Sequence, residues 1–200
     1  MIVNKATVKD LIKANKMMKK MKSDRVTLRY SKIGNINDLK ISVFTYASFA
    51  GSYLIFLSTG FKLNRETPCC PLSWQSIKIK RKVTSTREAE TLAVREGLEE
   101  ALVILSKMTG ILNKKKEQIK IEAFVDNDDT YKAIYSTKQT VKGRMMIDMG
   151  VIKDLVESKE VEQISWISKD YQLADSLTKQ GASTKDLLWT LNEGRIPKFK

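Results

Sequence analysis

The stretch that most restricts the fold runs from Val83 to Leu105, VTSTREAETLAVREGLEEALVIL. It opens on a Ser/Thr cluster, and a hydroxyl at a helix start can accept a backbone N–H that has no partner within the helix. Thr86 with Glu90 a turn later reads as a loose capping arrangement. Ala89, Leu92, Ala93, Gly97, Ala101, Ile104, Leu105 and Met108 then recur every three or four residues, the apolar stripe of an amphipathic helix ending near Thr109-Gly110. Such a helix has to lie on an apolar surface, and the segments around it supply a sheet. Glu90 sits at the edge of the stripe. There it is either a solvated flank residue or a ligand directed at the sheet.

On the N-terminal side, LKISVFTYASFAGSYLIFLS (Leu39 to Ser58) is rich in Val, Ile, Phe and Tyr and is interrupted once, at Ala50-Gly51-Ser52. It reads as two strands joined tightly. CCPLSWQSIKIK alternates as a third strand, and Pro71 puts it at an edge. On the C-terminal side, IKIEAFV (Ile119 to Val125) is a strand that ends at Asp126-Asn127-Asp128, with Asp126 or Asn127 near a helix N-cap. Gly143 to Glu157 is helical, with Met146, Met149, Gly150, Ile152, Leu155 and Val156 as buried candidates. VEQISWI (Val161 to Ile167) is a strand. YQLADSLTKQ is a short helix carrying Asp175, and STKDLLWTLNEG is a last helix stopped by Gly194. Three antiparallel strands followed by two strands reached through helical crossovers predict an α/β fold, a five-stranded mixed sheet with helices on both faces. Trp74 and Trp166 fall in strands and are expected in the core.

Ahead of the sheet, about Thr7 to Lys22 forms a basic helix whose apolar side is Val8, Leu11, Ile12, Ala14 and Met18. It is either a docking helix or a phosphate-binding face. A soft boundary near Gly34 to Asp38 divides residues 1–36 from a domain over 37–200.

Charge and missing residue types narrow the chemistry. The 200 residues carry 36 Lys+Arg against 23 Asp+Glu, a net charge of +13, which favours polyanionic partners, nucleic acid first among them. There is no histidine, so Ser–His and Cys–His catalysis and His-ligated metals are excluded. Cys69 and Cys70 are sequence neighbours and read as ordinary strand residues rather than a bridge or a zinc site. Any metal chemistry must rest on carboxylates, which points to Mg²⁺ or Mn²⁺. No apolar run is long enough to cross a bilayer, no secretory leader is visible, and an intracellular protein is expected.

In open α/β sheets, sites form beyond the carboxyl ends of the parallel strands. Asp126 follows such a strand directly. Glu90 lies in the first turns of the crossover helix and Asp175 in the helix after the last strand, so all three can reach one end of the sheet. Three carboxylates suit a pair of divalent ions of the kind that assist phosphodiester cleavage. By spacing alone the simpler reading is a cap for Asp126 and solvated side chains for Glu90 and Asp175.

Several blocks, in order, resemble the C-terminal part of the polyprotein of copia-type LTR retrotransposons, nearly end to end. KATVKDLIKANKMMKKMK is similar to the helix that joins the reverse transcriptase to ribonuclease H. LSWQSIKIKRKVTSTREAETLA resembles the family's block running from W-x-S-K to STxEAE. VDNDDTYKAI resembles its DN-x-x-A block, and QLADSLTKQGAS its QLAD-x-LTK-x-GA block. The resemblance implies an RNase H-like fold that cuts the RNA of an RNA/DNA hybrid with two Mg²⁺ ions held by four acids. It also implies the reverse transcriptase portion of the same polyprotein as a partner, and no membrane. Carried over by motif, Glu90, Asp126 and Asp175 are the second, third and fourth acids. The first belongs in S-D-A-S-F, where this chain has Thr45-Tyr46-Ala47-Ser48-Phe49, so Tyr46 replaces the expected aspartate. The connection before the next strand also looks shortened. A phenol is uncharged at neutral pH, and its ring fills space that ions would need. The resemblance therefore implies a nuclease site that is inactive or strongly impaired.

Lys78, Lys80, Arg81 and Lys82 lie between the third strand and the long helix. They are either phosphate contacts or a solvated loop. Ser85 and Thr86 are candidates for a nucleic-acid backbone, with capping as the alternative, and Asn127 for orienting substrate or capping a helix. Lys114, Lys115 and Lys116 read as a solvated loop. Asp38 and Asp128 are the candidate acids to stand in for the missing one.

Overall fold

The chain alternates strands and helices around a single sheet. The structure, a computed structural model, describes residues 7–23, 26–48, 50–138, 143–178 and 181–199. Residues 1–6, 24–25, Phe49, 139–142, Lys179–Gln180 and Lys200 lie outside the described residues, as do the side chains of Lys20, Met21 and Lys116.

Helix α1 (Val8–Ser23) comes first, then β1 (Lys40–Ala47), β2 (Ala50–Ser58) and β3 (Thr67–Lys78). Helix α2 (Thr86–Leu112) leads to β4 (Lys120–Val125). Helices α3 (Asp128–Tyr135) and α4 (Arg144–Glu157) precede β5 (Val161–Trp166). Two short 3-10 turns, Lys169–Tyr171 and Leu173–Leu177, lead to α5 (Lys185–Glu193) and β6 (Arg195–Ile196). The sheet order is β5-β4-β1-β2-β3-β6. β1, β2 and β3 are antiparallel neighbours, and β4 and β5 add in parallel beyond β1. This is the expected mixed sheet with helices on both faces. The two-residue β6, absent from the sequence reading, pairs only with Thr67 and Pro68 of β3.

Side-chain alternation along β1 and β2 splits the core into two layers. Ile41, Val43, Tyr53 and Ile55 face Val94, Leu98, Ala101 and Leu105 of α2 and Met149 and Ile152 of α4. Phe44, Tyr46, Leu54 and Phe56 face the other way, onto Leu173, Ala174, Leu187 and Ile196. Burying each large apolar side chain contributes about 1.5–3 kcal/mol, which is why both faces must be covered.

α2 comes close to the sheet because Gly97 has no side chain: a Cβ built there would lie 2.8 Å from Thr45 Cγ2 and 3.2 Å from Val43 Cγ1. The helix starts one cap earlier than expected. Ser85, not Thr86, is the N-cap; its Oγ accepts from the Glu88 N–H at 3.1 Å. Glu88 Oε2 reaches back to accept from the Thr84 N–H at 2.7 Å, so the capping pair is Ser85 with Glu88. The Thr84 N–H above all, with the Thr84 hydroxyl at 2.9 Å, holds the Glu88 carboxyl below its ordinary range against the effect of burial. The helix also runs past Gly110 to a left-handed cap at Asn113.

Three further expectations need correction. β1 runs to Ala47 and β2 begins at Ala50, so Ala50-Gly51-Ser52 are strand residues, with Ser52 opposite Tyr46. Trp74 and Trp166 are not core residues: they are 53% and 48% exposed. Asp175 sits in a 3-10 turn rather than an α-helix. In α4, Met146 is exposed, while the buried positions missing from the expected set are Met145 and Asp148, the latter 1% exposed. It accepts from Arg95 Nη1 at 2.8 Å and from Arg81, tying the β3–α2 connection to α4. Burial alone would raise the Asp148 carboxyl pKa. The two guanidiniums outweigh that and hold it below its ordinary value.

Helix α1 forms as expected, but Val8, Leu11, Ile12, Met17 and Met18 are all exposed. The chain that follows it is tied to the end of the molecule. Thr27 N–H donates to Asn192 Oδ1 at 3.0 Å and Arg29 N–H to the Leu191 carbonyl at 2.9 Å.

Candidate nucleic-acid interface at the carboxyl end of the sheet

Parallel pairing of β1 with β4 sets Phe44 beside Phe124. The same offset carried two residues on puts Tyr46 level with Asp126, at the carboxyl ends of two adjacent parallel strands. β5 ends beside them, Val125 opposite Trp166. The Trp166 indole N–H donates to the Asp126 carbonyl at 3.0 Å and steadies this corner.

An open cleft of about 670 Å³ lies here. Tyr46, Ser48, Glu90, Asp126, Asn127 and Lys169 line it, together with the Val83–Thr86 entry to α2. Glu90 is 2% exposed and Tyr46 6%. The sequence left Glu90 between a solvated flank and an inward ligand; its burial removes the solvated reading. Tyr46 has two surroundings, since its ring belongs to the apolar layer with Phe44 and Leu54 and also forms the cleft wall.

Asn127 is the N-cap of α3, its Oδ1 accepting from the Thr130 N–H at 2.8 Å. Ser85 caps α2. Capping therefore accounts for both side chains, and both still border the cleft with Thr86. Asp175 does not line this cleft. It borders a neighbouring pocket of about 320 Å³ with Asp170, Gln172 and Asp186. Lys169 lines both spaces.

Gln172 is the residue that sequence reasoning missed. It is buried, and its Nε2 donates to the carbonyls of Thr45 at 3.0 Å and Phe124 at 3.3 Å. One amide thus ties the turn between Lys169 and Asp175 to the ends of β1 and β4. Ser52 Oγ donates to the Ala174 carbonyl at 3.1 Å from the β2 side. A glutamine directly before the Leu-Ala-Asp of its block was the available signal.

Of the basic residues, Lys78, Lys80 and Lys82 are exposed. Arg81 is partly buried and committed to Asp148. Lys78, Lys80 and Arg81 line a separate pocket of about 340 Å³ with Ile77 and Glu96. Neither proposed stand-in acid borders the cleft. Asp38 lies at the amino end of β1, and Asp128 pairs with Lys132 on the surface of α3.

The resemblance implies a pair of divalent ions. Among the described residues no group of three or more carboxylates or thiols is gathered so as to hold a metal ion. Glu90 and Asp126 share the cleft, Asp175 borders the next pocket, and the wall that β1 contributes between them carries the phenol of Tyr46 rather than a carboxylate. This donor set does not fit two divalent ions.

No family model and no curated protein matches the chain. Solved structures do. The N-terminal RNase H domain of a Mycobacterium tuberculosis protein is 14% identical, with a TM-score of 0.44 over 76% of this chain and 97% of that one. An RNase H1 isolated from compost by a metagenomic approach is 15% identical, with a TM-score of 0.46 over 71% of this chain and 93% of that one. The same compost enzyme in complex with an RNA/DNA hybrid is 14% identical, with a TM-score of 0.45 over 70% and 92%.

Proposed function

We propose that the chain is an RNase H-like domain of a copia-type retrotransposon polyprotein that binds RNA/DNA hybrid but hydrolyses it very weakly or not at all. The observation that carries this reading is Tyr46, which walls the same cleft as Glu90 and Asp126. The motif order places an acid there, and the chain supplies a ring packed into the apolar layer. Hydrolysis by two metals depends on anionic ligands that bring the ions together and hold them apart from solvent. Without the first acid, Glu90, Asp126 and Asp175 are an incomplete version of such a set.

Binding asks less. Phosphate contacts need positive charge and hydrogen-bond donors, which the net charge of +13 and the hydroxyls of Ser48, Thr84, Ser85 and Thr86 at the cleft supply. Residues 1–36, with the exposed apolar side of α1, are the segment that would meet the polymerase portion of the same polyprotein.

The test is Mg²⁺- or Mn²⁺-dependent cleavage of a labelled RNA/DNA hybrid by the unmodified chain and by Tyr46→Asp, with thermal melting of both. The unmodified chain should bind the hybrid, more weakly as salt rises, and leave it intact. Tyr46→Asp should gain measurable cleavage at a cost in stability. Robust cleavage by the unmodified chain sinks the loss of activity, and salt-insensitive binding sinks the phosphate contacts.

A further inference from the structure

The reading of the cleft as a nucleic-acid site leaves open what charge faces the phosphates. Glu90 and Asp126 put acidic side chains on the cleft wall, so a polyanion there is favoured by any basic side chain beside them. With the resemblance's metal pair present, the ions would supply positive charge of their own. The donor set of this chain does not fit the pair, which leaves positive charge at the cleft to its basic side chains.

Lys169 is the one Lys or Arg among the described residues lining the cleft, and the one described residue that also lines the pocket of Asp175. It therefore borders both spaces that hold the three acids the motifs single out. Its backbone is held firmly. Ile167 N–H donates to the Val125 carbonyl at 2.9 Å, and Tyr171 N–H to the Ser168 carbonyl at 2.9 Å. Gln172 fastens the next residue to β1 and β4, and Tyr171 stacks on Phe199 at 4.6 Å between ring centroids. The side chain is exposed on this fixed turn, so its ammonium is available at the cleft mouth with little loss of backbone freedom on binding.

We propose that Lys169 is the built-in counter-cation of the cleft: its ammonium contacts the phosphodiester backbone of bound nucleic acid, so binding needs no divalent metal. This rests on the hybrid-binding reading above. A lysine supplies one positive charge and three donors on a flexible stem, enough to hold one phosphate against the Ser48 and Thr84–Thr86 wall. It cannot polarise a scissile phosphate as two metals do, which matches a site that holds its ligand without cutting it.

The experiment is fluorescence anisotropy of a labelled RNA/DNA hybrid with the full chain, in EDTA and in Mg²⁺ at equal ionic strength, across a salt series. The variants are Lys169→Ala and Lys169→Arg, with Lys115→Ala as a control at the far end of the sheet. EDTA should leave affinity unchanged. One lost phosphate contact lowers the slope of log K against log salt by about 0.9, or about eightfold in affinity at 0.1 M salt. Lys169→Ala should show that loss, Lys169→Arg should restore it, and Lys115→Ala should lose clearly less. Binding that collapses in EDTA, or a Lys169→Ala loss no greater than that of Lys115→Ala, overturns the assignment while leaving hybrid binding intact. No salt-sensitive binding by the unmodified chain overturns both readings.

Discussion

Replacing Gly97 by alanine tests how closely the long helix must approach the sheet. In the middle of a helix, Gly→Ala normally stabilises by about 1 kcal/mol. Here the new methyl would lie 2.8 Å from Thr45 Cγ2, 3.2 Å from Val43 Cγ1 and 3.3 Å from Tyr53 Cβ. Thr45 and Val43 are β-branched, fully buried on β1 and restricted at χ1, so neither can swing aside. The helix must lift or the strand must bow, and overpacking of this kind costs about 1–3 kcal/mol. With three crowded contacts the upper part of that range applies. After the propensity gain, the net loss should be about 1–2 kcal/mol, or about 2–8 °C in Tm for a chain of this size. Gly110 is the internal control: it lies in the same helix, and a methyl there meets nothing within 4 Å. Gly110→Ala should stabilise by a few tenths to about 1 kcal/mol. Urea denaturation followed by circular dichroism reads both. If Gly97→Ala is as stable as the unmodified chain, or gains as Gly110→Ala does, the close packing of α2 on β1 is refuted. The matter reaches the site because Glu90 lies two turns upstream on the same helix face.

Two further predictions concern buried acids. Asp148→Asn removes the charge that Arg81 and Arg95 share, and with both arginines partly solvated it should cost about 2–3 kcal/mol in urea denaturation. Because the folded carboxyl titrates below 3.8, its contribution is present above that pH and disappears as pH falls through the depressed value. The variant should lack that acid-side decline. Glu122 behaves oppositely. Burial raises its pKa above 4.5, against the opposing bonds from the Phe61 N–H and Ser42 Oγ. Its folded form therefore favours the proton, and that stability is lost as pH rises from 4.5 through the raised value. Glu122→Gln keeps an acceptor for both donors, so its stability should be flatter over that window; an identical pH profile would refute the assignment.

Much of the architecture was legible because two periodicities coincide with two kinds of burial. α2 is long and one-sided, and the β1–β2 segment is apolar on both faces because each face is covered. The misread features depend on partners far away in sequence. Trp74 and Trp166 have the composition of core residues, yet they lie on strands near the margins of the sheet. Asp148 breaks the apolar pattern of α4 and is buried only because Arg81 and Arg95 converge on it. β6 is two residues long and exists only because α5 delivers it to Thr67. At the site, Glu90 and Asp126 were found together at the cleft. Asp175 fell one pocket away, because the turn that carries it is fixed by Gln172 and not by helical periodicity.

Tyr46 couples the cleft to the core. Its ring is shared between the cleft wall and the apolar layer of Phe44, Leu54 and Phe56. Any charged side chain at position 46 would face the cleft and at the same time put a charge where a ring is packed. A single substitution there alters the cleft and the core together, so the chemistry of this wall cannot be changed without a cost in packing.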